Sequence, residues 1–314
     1  MKLLFQSNLE LALEPISVEN LNKHKSDSEL HRVLQDSSLY LITKRPVLFF
    51  SNLEKIKNTI TFKIVQPLTR KEIYCTLPIY QEEVINDENL EIEVGYNSDR
   101  SQHQDIYFFT CKKGEQKVIK WFTPDTILTL FLSEKIDCKI SGDVRAFTIY
   151  EVKYVGEAVI QNIWKRLAKH ENLQRILTEE SSDTQSVKLS EELMVLFFRV
   201  SDTYDYRGGH ETLNLDYQER IKNSPKTANI YYDAEKALIN VLGSGLFNKR
   251  VYKNYPQSKD GLINESFDSW SYSIIDRITL KYKGGTIEGG NDTILISKKN
   301  KPVVLKNWKM QHNT

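Results

Sequence analysis

Arg166 and His170 stand four residues apart in WKRLAKH, so on a helix they share a face one turn apart. A guanidinium is always cationic and grips phosphate oxygens with paired hydrogen bonds. Just upstream, Tyr154-Val155-Gly156 reads as a strand end that runs straight into this helix. Further on, GLFNKRVYKNYPQSK carries Lys249, Arg250, Lys253 and Lys259 with no acid, interleaved with Tyr252 and Tyr255. Cations with aromatic spacers suit a phosphate backbone and an unstacked base. Each of these has a plainer use. Arg166 and His170 fit a solvated polar stripe beside Ile163, Leu167, Leu173 and Leu177, and the basic stretch fits a solvated loop.

The elements that must position these residues change character along the chain. Residues 1–135 read as β-rich, with runs such as SLYLITKRPVLFF, TITFKIVQPL, KEIYCTLPIY and DIYFFTC parted by polar turn clusters. TPDTILTLFL follows as a brief helix capped by Thr123 or Asp125. His24, His31 and His103 sit singly in polar surroundings, so this half offers no catalytic constellation. From about residue 136 the order is strand FTIYEVKYVG, helix VIQNIWKRLAKHENLQRILTEE, buried strand ELMVLFFRVSD and helix YYDAEKALINVLGSGLFN, stopped by Gly243 and Gly245. Residues 257–314 return to strands. The glycines of KGGTIEGGND lack the Lys-Ser/Thr ending of a phosphate-cradling loop and read as turns. SKKNKPVVLKNWK supplies a second basic strip, Lys298, Lys299, Lys301, Lys306 and Lys309.

Composition bounds the rest. The 314 residues are 40% hydrophobic and 27% charged with a net charge of +1, which fits a globular protein and gives no global field toward nucleic acid. Cys75, Cys111 and Cys138 are odd in number and widely spaced, against both a disulfide framework and a zinc knuckle. No run of 18 apolar residues occurs, so no membrane partner is expected and the protein is expected in the cytoplasm.

The stretch from about 148 to 256 resembles the GIY-YIG endonuclease superfamily. Tyr154-Val155-Gly156 looks like its second signature triplet, and Arg166 and His170 fall at its helical positions. Glu235 and Asn248 look like its later Glu and Asn. The first triplet would be Thr148-Ile149-Tyr150, without its glycine and only four residues ahead of Tyr154. Either the two triplets join through a minimal turn, or both tyrosines lie on one strand, where positions 150 and 154 would point to the same face.

The resemblance implies an α+β chain in three parts: a β-rich recognition or interaction domain at 1–135, a small GIY-YIG-like αβ nuclease domain at 136–256, and a β-rich C-terminal extension at 257–314. It implies a divalent-metal-dependent endonuclease hydrolysing DNA, of restriction or defence type, with catalytic residues Tyr150, Tyr154, Arg166, His170, Glu235 and Asn248. Glu235 would hold Mg²⁺ or Mn²⁺, and a single carboxylate suits Mg²⁺ because that ion keeps most of its waters. Tyr150 would be the base, His170 a proton shuttle, and Asn248 a positioner of the metal helix or a phosphate. A homodimer suits double-strand cleavage, and RNA stays open as substrate. The alternative is an inactive nucleic-acid-binding or protein-interaction module on the same fold.

Overall fold

The structure is a computed structural model that describes residues 3–57, 59–78, 90–96, 103–112, 115–160, 163–168, 176, 191–207, 225–243, 247–248, 252–257 and 261–308. It is mixed α+β and rich in strand. Strands β1 (Leu3–Leu11), β2 (Ile16–Ser17) and β3 (Leu39–Pro46) come first, with helices α1 (Val18–Lys23) and α2 (Ser28–Val33) ahead of β3. Then come β4 (Phe49–Ile56), β5 (Thr59–Gln66), β6 (Lys71–Pro78), β7 (Leu90–Tyr96), β8 (His103–Lys112) and β9 (Glu115–Phe122). Helix α3 (Pro124–Leu132) and β10 (Lys139–Ser141) lead to β11 (Ile149–Glu157), α4 (Ile163–Ala168), β12 (Glu191–Arg207) and α5 (Thr227–Leu242). The last strands are β13 (Ser269–Ile274), β14 (Thr279–Tyr282), β15 (Gly285–Glu288), β16 (Thr293–Ser297) and β17 (Asn300–Leu305).

Two compact units result. The first comprises residues 1–44, 150–183 and 193–314, and the second comprises 45–149 and 184–192. This division differs from the expected consecutive segments 1–135, 136–256 and 257–314. β1 and β3 join the main sheet of the first unit, and β13 lies parallel to β1, so the two ends of the chain share one sheet. Hydrophobic patterning records whether a strand is buried, not which distant strand it pairs with. Segments adjacent in sequence therefore fall in one sheet with strands from the far end of the chain.

Among the described residues, the first unit's sheet runs β15-β14-β11-β3-β12-β1-β13-β16-β17, with β2 beside β12. β3 is buried on both faces, which explains its unbroken apolar run LYLIT. Leu39 and Leu41 point into a core that surrounds α5, whose Ile230, Ala234, Ala237 and Leu238 meet Val155, Phe198, Trp270, Leu280 and Ile296. Residues from β15 at one end of the sheet and β16 near the other pack in this same core, so the sheet curls around the helix. Tyr40 and Ile42 point to the opposite face, where Val18 and Leu21 of α1 and Ile163 and Leu167 of α4 cover them together with Tyr154 and Phe197.

The second unit is a separate seven-stranded arrangement, β10-β6-β5-β4-β8-β7 with β9 on β8. Its core joins Phe50, Phe62, Ile64 and Ile73 to Ile127 and Leu128 of α3. Thr123 caps α3 by accepting a hydrogen bond from the Thr126 N–H at 3.1 Å, with Pro124 at the first turn. Gly243, at φ 65°, ends α5. The expected continuation of α4 through residues 169–180 lies outside the described residues apart from Ile176, and so does Gly245.

Candidate functional site

β3 and β11 run antiparallel, and their register sets Tyr40 opposite Gly156 and Ile42 opposite Tyr154. Because Gly156 has no side chain, both phenol rings can close over its backbone. A Cβ there would lie 2.5 Å from Cζ of Tyr40 and 2.6 Å from Cε1 of Tyr154, distances no real contact tolerates. The ring centroids stand 6.0 Å apart and are tilted by 32°. This explains the glycine of the Tyr-Val-Gly triplet as a close approach of rings to backbone.

Arg166 reaches these tyrosines from α4. Ile163 and Leu167 are buried beneath, anchoring the helix and leaving Arg166 half-buried at its edge. Burial opposes its charge, but Tyr40, Tyr154 and Glu157 together more than offset that and raise its pKa, so it is a fixed cation. Burial also raises the Tyr40 phenol, reinforced by Tyr154 and opposed by Arg166, so Tyr40 keeps its proton at neutral pH.

Glu235 approaches from α5. It accepts a hydrogen bond from the Tyr252 hydroxyl at 3.2 Å. Burial, helped by the like charge of Glu157, raises its pKa to about 7, against the pull of Tyr252, Arg166 and Lys236. The Lys236 ammonium lies 5.6 Å from the centre of the Tyr252 ring. A carboxyl that titrates near neutrality beside a fixed guanidinium can exchange a proton for a metal ion or pass one on.

Asn248 serves the frame. Its Oδ1 accepts from the Val155 N–H at 3.1 Å and its Nδ2 donates to the Val155 carbonyl at 2.7 Å. With the Phe247 N–H on the Lys153 carbonyl at 2.7 Å, residues 247–248 act as a short partner to β11. The carboxamide is therefore spent on backbone and positions the triplet from its edge.

Tyr150 stands apart from this group. A bulge in β11 between Val152 and Tyr154 shifts the register against β3. The extra residue reverses the alternation, so Tyr150 faces the core around α5 while Tyr154 faces α4. The expectation that both share a face is thereby corrected. Tyr255 also departs from its expected exposure. It is buried, its hydroxyl donating to Asp233 at 2.8 Å, so its ring is no stacking platform, while Tyr252 is half-buried with its hydroxyl on Glu235. Lys253 is exposed. His170, Lys249, Arg250 and Lys259 lie outside the described residues.

Two further residues shape this region without a clear signal in the sequence. Tyr40 sits in SLYLI, an apolar strand signal that gives no hint of a partner in β11. Asp233 is buried in α5, where it accepts hydrogen bonds from Tyr255, from Trp270 at 2.5 Å, from Tyr272 at 2.8 Å and from the Leu262 N–H at 3.2 Å. It fixes the helix that carries Glu235, and a carboxylate two residues from Glu235 in sequence was its only signal. Comparison with family models, with curated proteins and with solved structures finds no match.

Proposed function

We propose that the chain hydrolyses nucleic-acid phosphodiester bonds, DNA first, with a divalent metal ion held by Glu235. The observation that carries this reading is the convergence of Tyr40, Tyr154, Arg166 and Glu235, each from a different element, around the bare backbone of Gly156. On this reading the GIY-YIG-like signature begins at Ser38-Leu39-Tyr40 instead of Thr148-Ile149-Tyr150, and residues 45–149 are inserted between its two strands.

Arg166 would grip the phosphoryl oxygens and stay charged throughout. Tyr40, protonated, buried and against Arg166, would orient the guanidinium toward the phosphate, and Tyr154 would hold its ring in place. Glu235 fits Mg²⁺ or Mn²⁺, since a half-buried carboxyl raised toward neutrality by burial, and further by Glu157, is relieved by a cation. Among the described residues no three His, Cys, Asp or Glu side chains converge, so an ion on Glu235 would have to keep most of its waters. When bound, the ion supplies Lewis acidity at the phosphoryl and leaving oxygens.

The test is cleavage of supercoiled plasmid and of short duplex or branched DNA with Mg²⁺, Mn²⁺ or EDTA. Wild type would be run beside Glu235→Gln and Arg166→Ala. Metal-dependent nicking that both substitutions reduce by at least about a hundredfold supports the reading. A well-folded wild type that cuts nothing overturns it in favour of a binding module.

A further inference from the structure

We propose that the seam between the two ends of the first unit's sheet grips the phosphate backbone of the DNA strand being cut, a reading that rests on the phosphodiesterase assignment above. β14 and β17 lie near opposite ends of the strand order, yet Tyr282 of β14 and Lys301 and Val303 of β17 line one cavity of about 820 Å³. Asn240 of α5, Lys253 and Lys306 complete its polar wall, and among the described residues no Asp or Glu lines it.

The three lysines have different duties. Lys306 is a staple: its ammonium donates to the Thr286 carbonyl of β15 at 2.6 Å and pairs with Asp292 at 2.7 Å, tying the two sheet ends together. Lys253 and Lys301 are exposed, and neither has a carboxylate partner among the described residues. They come from the two basic strips that lie far apart in sequence. The fold thus brings to one groove two cations without a carboxylate partner among the described residues. Its tyrosine and valine walls suit sugar and base, and its volume far exceeds that of a single phosphate. Charge complementarity commits the occupant to a polyanionic strand.

The groove is also in reach of the site. Tyr252 touches both, its hydroxyl on Glu235 and its carbonyl accepting from Asn240 Nδ2 at 3.1 Å. Asn240 lies five residues beyond Glu235, about 7.5 Å along the helix axis. At a rise of about 3.4 Å per nucleotide, the groove meets phosphates roughly two nucleotides from the bond at Glu235.

The experiment measures binding of a fluorescein-labelled single strand and its duplex in EDTA, by anisotropy across a salt series. It compares wild type, Lys253→Ala/Lys301→Ala and a control pair, Lys55→Ala/Lys57→Ala. Loss of two phosphate contacts should flatten the slope of log K against log salt by about 1.4 on single strands or about 1.8 on duplex. At 0.15 M salt this corresponds to a roughly 15- to 30-fold weaker affinity. The control pair should match wild type. Wild-type affinity and slope in the double variant would overturn the groove, as would a wild type that binds neither DNA. If the double variant binds as wild type while wild type still cleaves with Mg²⁺, the groove falls and the phosphodiesterase stands. If the lysines carry binding but nothing is cleaved with Mg²⁺ or Mn²⁺, the phosphodiesterase falls and the groove stands.

Discussion

Tyr40 and Gly156 face each other across β3 and β11, and the ring of the first fills the space that the second leaves empty. Gly156→Ala therefore has no room, since its methyl would meet Tyr40 and Tyr154 at once. The expected cost is about 1–3 kcal/mol, read from urea unfolding, together with loss of any cleavage because both phenols move. A variant of unchanged stability would show that the rings do not close over this glycine.

Tyr40 and Tyr150 make opposed predictions. Tyr40→Phe should lower cleavage by about a hundredfold at unchanged DNA affinity, as expected for a buried hydroxyl that orients Arg166 on the phosphate. Tyr150→Phe should leave cleavage near wild type, because the bulge turns its ring into the core around α5. The reverse pattern would return the role to Tyr150.

Metal affinity should depend on pH through Glu235. Its carboxyl is raised to about 7, so it is largely protonated below that value and charged above it. Mn²⁺ binding, followed by calorimetry in two buffers of different ionisation enthalpy, should tighten as pH rises from 6 to 8 and release a proton at pH 6.5. The same shift makes folding stability fall as pH rises between the unfolded value of 4.5 and about 7, because the folded chain holds the proton more firmly there. Glu235→Gln should remove both dependences.

Asn248→Ala should cost about 1–3 kcal/mol, since the Val155 N–H and carbonyl lose both partners at the edge of β11. Asp233→Asn should cost more, about 3–5 kcal/mol, because its amide presents a donor where four donors already converge. Urea midpoints at constant slope would measure both. An Asp233→Asn protein as stable as wild type would mean that the carboxylate is already neutral.

Much of the fold was legible wherever a local rule sufficed. β12 follows from an apolar run, α3 from a cap at Thr123, one of the two candidates, and the end of α5 from Gly243. Tyr154, Arg166 and Glu235 could be picked out by type and order. What escaped was non-local. No pattern near Tyr40 announces that its partner strand lies beyond an inserted unit. Nor does EVKYVG disclose the bulge that turns Tyr150 away from Tyr154. The roles of Asn248 and Tyr255 depended likewise on neighbours distant in sequence, Val155 and Asp233.

The insertion of residues 45–149 has a consequence for the order in which the molecule forms. Lys44 and Glu151 are paired neighbours, so the second unit must return its chain to the point where it left. Closing that length as an open coil costs about 2.7 kcal/mol more entropy than closing a five-residue turn. Once the second unit has folded, its two ends are held side by side and the penalty vanishes. Pairing of β3 with β11, and with it the meeting of Tyr40 and Tyr154 over Gly156, thus belongs to the late steps of folding. A nascent or damaged chain whose second unit has not folded must meet that penalty before the site can assemble.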